Sequence, residues 1–152
     1  MQTKTILLLI GLLVLAGGLF FVFQVSFGGS DVFNSSVIDR IARAIARAEG
    51  FYVKNSRASR NHNPGNLTMD LTGKSIGKDA TFVRYATDED GFENLRKQIW
   101  KFWGGSNYYN PSMTISEVSR VWTATVNEQA AWASTVANDL GVTTDTQIGQ
   151  IV

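Results

Sequence analysis

The chain has no cysteine and a single histidine, His62, in 152 residues. Without thiols there is no disulfide scaffold, no Cys-ligated zinc or iron–sulfur site and no thiol nucleophile. One imidazole excludes an all-histidine metal cage within the chain, and His62 has no visible Ser or Cys partner for a catalytic triad. A phosphate-cradling glycine loop is also missing. No metal and no cofactor are expected. Charge of one sign is lacking as well: 14 Lys and Arg against 13 Asp and Glu leave a net +1. That balance argues against a nucleic-acid partner.

What is present is unevenly distributed. Ile6 to Phe23 (ILLLIGLLVLAGGLFFVF) carries no charge, and Gln24 to Phe27 can extend it. At about 1.5 Å per helical residue such a run spans a hydrocarbon core roughly 30 Å thick. A cleaved signal peptide is the rival reading, but its short apolar region and small-x-small site are not evident. The expectation is an uncleaved transmembrane signal-anchor over residues 1–27 and a linker over 28–36, containing Gly28, Gly29, Ser30, Asn34, Ser35 and Ser36. A globular domain then occupies 37–152. Lys4 precedes the run and the next basic residue is Arg40. The positive-inside rule therefore puts the domain outside the cytoplasm, on the periplasmic side of a bacterial inner membrane. The internal membrane of a virion is the alternative.

Periodicity predicts a mainly helical α+β domain with a small β element. Val37 to Glu49 reads as a helix with Ile38, Ile41 and Ile45 on one face and Arg40, Arg43 and Arg47 opposite. Lys54 to Lys78 reads as loop and turn, with Leu67, Thr68 and Met69 the candidate extended piece. Thr81 to Tyr85 reads as a strand. A helix follows from Thr87 through Trp103, with Phe92, Leu95, Ile99 and Phe102 inward. Thr114 and Glu117 form a capping box for a third helix reaching about Ala124. Asn127 is the expected cap of a fourth, which ends at Gly141.

Glu49 stands out on this wheel. Eleven positions after Ile38, it lies about 20° away, within the apolar face. Burial there raises a carboxyl pKa, and the negative end of the helix acts in the same direction. A glutamic acid protonated near neutral pH is what a general acid requires. A frayed end residue or a buried salt bridge to arginine is the plain alternative. A second feature is Asn63-Pro64-Gly65-Asn66, whose Pro and Gly suit a type II turn with Gly65 at positive φ. Such a turn presents Asn63 and Asn66 as two amides able to donate to and accept from sugar hydroxyl and acetamido groups.

Together these segments resemble a known family. Ala48-Glu49-Gly50-Phe51, then Arg60-Asn61-His62-Asn63-Pro64-Gly65-Asn66-Leu67, then Phe82 to Gly91 (FVRYATDEDG) and Thr114 to Glu117 are similar, in order, to lysozyme-like lytic transglycosylases of phages and bacteria. The resemblance implies a lysozyme-like fold, a peptidoglycan partner and Glu49 as the catalytic acid. It also implies cleavage of the MurNAc-GlcNAc β-1,4 bond with closure of a 1,6-anhydro ring, for wall opening or remodelling. His62 stands where relatives often have Asn, and Trp122-Thr123-Ala124 replaces an aromatic-Ala-Pro pattern. A hydrolytic muramidase is the close rival and favours a second carboxylate. For that role Asp88, Glu89 and Asp90 form the available cluster, although anions at a helix start need no catalytic reason.

Arg60, with Arg57, is a candidate for stem-peptide carboxylates, Tyr85 and the Tyr108-Tyr109-Asn110 loop for stacking on sugar. The expected substrate-binding set is thus Arg60, Asn63, Gly65, Asn66 and Tyr85. Trp100, Trp103, Trp122 and Trp132 fall at helical spacings typical of a core and are assigned to packing. A non-catalytic wall-binding or virion structural protein is the competing class, and oligomeric state is open.

Overall fold

A computed structural model describes residues 35–104 and 108–152. The expected anchor, residues 28–34 of the linker and the side chain of Trp103 lie outside the described residues. Within them the fold is α+β, about half helical, with one two-stranded sheet. Among the described residues no helix is long and apolar enough to cross a membrane.

The central element is α1, Ser35–Ala48, which begins two residues before the expected Val37. Its isoleucines Ile38, Ile41 and Ile45 are buried as the wheel predicts, and Ala42, Ala44 and Ala46 widen the buried face. Small side chains there let neighbours approach closely, leaving Arg40, Arg43 and Arg47 outside. Against α1 pack α3, Asp88–Gly104, and α5, Val126–Leu140; α5 also packs on α4, Ile115–Trp122. Leu95, Ile99 and Phe102 bring α3 into the same core, with Phe92 partly buried at its edge.

The capping box at Thr114 forms as the sequence indicates, with both reciprocal hydrogen bonds in place. The expected cap of α5 is corrected. Thr125, not Asn127, occupies that position, and it makes no side-chain cap bond. Asn127 is already inside the first turn. Gly141 ends α5 in the left-handed conformation at φ 74°, the usual glycine exit. The tail after it returns to the start of α4, where Ile115 N–H donates to Thr146 O (3.1 Å) and Ile148 N–H to Met113 O (2.9 Å). Ile148 and Ile151 thereby enter the core.

Residues 54–78, expected to be loop and turn, hold two short elements. One is α2, Arg57–Arg60, capped by the Ser56 hydroxyl, which accepts from Ser59 N–H at 3.1 Å. The other is β1, Gly77–Asp79, antiparallel to β2, Phe82–Arg84, with Lys78 opposite Val83. Leu67 to Met69 is not a strand, but Leu67 O accepts from Val83 N–H at 3.0 Å and ties the turn to β2. Asn94 on α3 secures the next stretch, its amide bonding Leu71 N–H (2.6 Å) and Met69 O (2.9 Å).

Candidate active site

α1 ends where Gly50 takes φ 71°, and Phe51 N–H closes back on Ala46 O at 2.9 Å. That exit leaves Glu49 half-buried at the mouth of the core, facing the 63–66 turn. Its carboxyl group is held by three neutral donors. Oε1 accepts from Trp122 Nε1 and Trp132 Nε1, each at 2.9 Å, and Oε2 accepts from Asn66 Nδ2 at 3.0 Å. Burial raises the Glu49 pKa above its ordinary value. The hydrogen bonds from Asn66, Trp132 and Trp122 and the charge of Arg57 pull the other way, and burial prevails.

The turn is built differently from the sequence expectation. Asn66 N–H donates to Asn63 O at 3.0 Å, closing the four-residue turn. Positive φ falls on Asn66 (45°) and His62 (49°), not on Gly65. Asparagine tolerates the left-handed region better than most residues, and there it aims its amide at Glu49. Glycine at position 65 avoids crowding two leucine side chains. A Cβ there would stand 2.8 Å from Leu95 Cδ1 and 3.1 Å from Leu67 Cγ. Gly91 is needed for a closer approach still: its Cβ would meet His62 O at 1.8 Å. The first turn of α3 therefore rests directly on the backbone leading into the 63–66 turn.

The two asparagines separate in role. Asn63 is fully buried, and its amide donates to Leu67 O and Val83 O and accepts from Leu67 N–H, all at 2.9 Å. It holds the turn to β2 and presents nothing to a ligand. Only Asn66 reaches Glu49. Its Oδ1 is the one buried side-chain polar atom among the described residues without a hydrogen-bond partner, a cost that folded proteins seldom carry away from functional sites.

Around Glu49 two depressions of about 440 and 360 Å³ share Glu49, Arg57, Asn66, Thr123 and Glu128. The first also shares Leu67, Thr68, Gln98, Tyr109 and Val121 with a third of about 400 Å³, which adds Met69, Lys101 and the exposed Tyr108. The result is an extended groove with Glu49 in its course. Arg57 stacks its guanidinium over the Phe82 ring at 3.7 Å and lines both inner depressions. A larger hollow of about 620 Å³, between Arg43, Arg96 and Trp100, does not include Glu49. Its carboxylates Asp39 and Glu89 both pair with Arg96, so it offers no unpaired acid.

Among the sequence candidates, Glu49, Gly65 and Asn66 meet in the groove. Tyr85 does not: it is 1% exposed, and its hydroxyl donates to Asp70 Oδ1 at 3.4 Å. Strand alternation places it on the inner face beside Val83. Arg60 lies apart too, next to Asp79 at 4.0 Å, in a hollow with Asn61, Lys78 and Arg84. The acidic cluster is spent on surface partners: Asp88 on His62 (2.6 Å), Glu89 on Arg96, and Asp90 on Lys74 (3.2 Å). The carboxylate that does share the groove with Glu49 is Glu128, which sequence reasoning did not single out.

Trp122 and Trp132 were also missed as site residues. Both pack in the core region, their rings 5.8 Å apart, yet both spend their N–H on Glu49. The available signal was that a buried indole needs an acceptor; helical spacing does not reveal which. Among the described residues no group of His, Asp and Glu is arranged to hold a metal ion. Comparison with protein-family models, curated proteins and solved structures finds no match to this chain.

Proposed function

We propose that the chain is a peptidoglycan-cleaving enzyme of lysozyme-like character, anchored to a membrane by residues 6–27, with Glu49 as general acid and then base. The observation that carries this is the half-buried Glu49 carboxyl, held by uncharged donors in the course of an extended groove. A groove running past a half-buried acid suits a polymer cut internally, and its polar floor and aromatic edge suit a glycan strand.

In this reaction Glu49 transfers its proton to the glycosidic oxygen as the C1–O bond of MurNAc breaks. The substrate's N-acetyl oxygen supports C1 while positive charge develops. Trp122, Trp132 and Asn66 steady the carboxylate that results, because hydrogen bonds to a charged group are the stronger ones. That carboxylate then removes the proton from the muramic 6-hydroxyl, whose oxygen closes on C1. Glu49 is protonated again, the product is a 1,6-anhydro end, and no water is consumed. The second reading is hydrolysis, which needs a base for water. Glu128 favours it, being a carboxylate that lines the same two depressions.

The test is digestion of purified sacculi by the full-length chain, with the new ends read by mass spectrometry. Anhydro ends, lighter by one water than reducing ends, are the expected product. Reducing ends would transfer the assignment to hydrolysis with Glu128, and no new ends of either kind would leave a wall-binding protein.

A further inference from the structure

The two oxygens of Glu49 are not equivalent. Oε1 accepts from both indoles, Trp122 Nε1 and Trp132 Nε1, at 2.9 Å each. A carboxyl oxygen has two acceptor positions in its plane, and an indole N–H only donates. Oε1 is therefore full, and a proton on it would have to displace an indole. Oε2 takes a single protein donor, Asn66 Nδ2 at 3.0 Å, which leaves one position open.

We infer that Trp122 and Trp132 are positioning residues that assign the acid proton of Glu49 to Oε2. The inference rests on the proposed function and deepens it: the proton leaves from and returns to one oxygen, and the carboxyl group need not rotate between the acid and base halves of the reaction. Asn66 fits the same scheme. Its buried Oδ1 has no partner, so turning the amide end for end sacrifices no hydrogen bond at that atom. In Glu49→Gln the introduced carbonyl belongs at the indoles and the introduced NH2 beside Asn66, which then turns Oδ1 toward it. That variant holds the hydrogen-bond pattern of the protonated acid.

Other charges face the group from two elements, Arg57 on α2 and Glu128 on α5. From α3, α4 and β2 the two depressions around Glu49 receive the uncharged Gln98, Trp122 and Phe82, and Lys101 of α3 lines only the third, outer depression. Replacing an indole by phenyl leaves both charges in place. What changes is one donor to the carboxylate, so the ionised form loses support and the midpoint rises.

The experiment uses the full-length chain in detergent micelles, with labelled tryptophan, glutamate and amide side chains, read by NMR across pH. Both indole N–H signals of the wild type should move with one shared midpoint, that of the Glu49 carboxyl carbon, and should stop moving in Glu49→Gln. Trp122→Phe and Trp132→Phe should each raise the midpoint by about one pH unit, a hydrogen bond to a charged group being involved. In Glu49→Gln the introduced amide protons should show contacts to the Asn66 side chain and none to the indoles. Unchanged midpoints in folded Phe variants, or introduced amide protons lying against the indoles, would overturn the assignment. The wild-type titration and the Glu49→Gln contacts do not depend on the Phe variants folding. None of these readouts needs turnover. Failure to cut sacculi sinks the proposed function, whereas normal cutting with unmoved midpoints sinks this inference alone.

Discussion

Glu49 is surrounded by two indoles and an amide, all neutral, while Asp88, Glu89 and Asp90 at the start of α3 each face a basic side chain. Burial lifts the Glu49 pKa. Asp90, by contrast, is pulled below the ordinary aspartate value by the Thr87 hydroxyl and then by Lys74. The shifts run in opposite directions: at Glu49 burial outweighs the donors, and at Asp90 the donors outweigh burial. The three donors at Glu49 support the charged form without offsetting the cost of burying it. At Asp90 a neutral hydroxyl and the Lys74 cation together outweigh a smaller burial cost, and a carboxylate there suits the positive end of a helix.

The largest expected effect breaks the comparison directly. Glu49→Gln should lower wall cleavage by about 10²–10⁴-fold, the usual worth of general acid–base catalysis. The combined Asp88→Asn, Glu89→Gln, Asp90→Asn variant should stay within about threefold of wild type, because exposed ion pairs contribute little. Cleavage rates per folded molecule decide between them; equal losses would erase the distinction. Next is the junction that joins the two regions. Gly91→Ala puts a Cβ 1.8 Å from His62 O, and the backbone must move. We expect a loss of about 3 kcal/mol in denaturant unfolding, at the upper end of ordinary overpacking.

Gly65→Val should cost about 2 kcal/mol by crowding Leu95 and Leu67. It should also reduce cleavage, since Trp122 Cζ2 is the next atom it meets, at 3.4 Å. A smaller effect separates the regions by pH. A raised pKa means that the folded state binds Glu49's proton more tightly than the unfolded chain does. The stability from this group is present below the ordinary glutamate pKa and is lost as pH rises through the higher folded value. Glu49→Gln should therefore gain stability over wild type on the alkaline side of that window, as melting curves at several pH values will show. Removing Asp90 should act with the opposite sign, its contribution being lost as pH falls. The smallest effect is a control: Thr114→Ala removes a cap far from the groove and should cost about 1 kcal/mol without altering cleavage per folded molecule.

Residues whose role is decided within one helix were readable from the sequence. Ile38, Ile41 and Ile45 define a face, Glu49 falls in it, and Thr114 caps with Glu117. Roles decided by distant partners were not. Trp122 and Trp132 lie 73 and 83 residues from Glu49 along the chain, and nothing in their own spacing names it. Asn63 and Asn66 look equivalent as letters; β2 takes one amide and the groove receives the other. Gly65 was identified for the wrong reason, because a turn's φ pattern depends on what packs against it. Strand facing withdraws Tyr85 from the groove and the placement of α5 brings Glu128 to it, neither visible locally. The tail from Thr143 carries no strong periodic signal, since backbone bonds to α4 and two isoleucines hold it.

The most direct measurement follows kcat/KM for sacculus cleavage against pH alongside the NMR titration of the Glu49 carboxyl carbon in the same full-length protein. For a general acid the rate must fall on the alkaline side as Glu49 ionises. The account predicts one shared midpoint, above the ordinary glutamate range. A Glu49 midpoint within that range, or an alkaline fall in rate at a different pH, would contradict it.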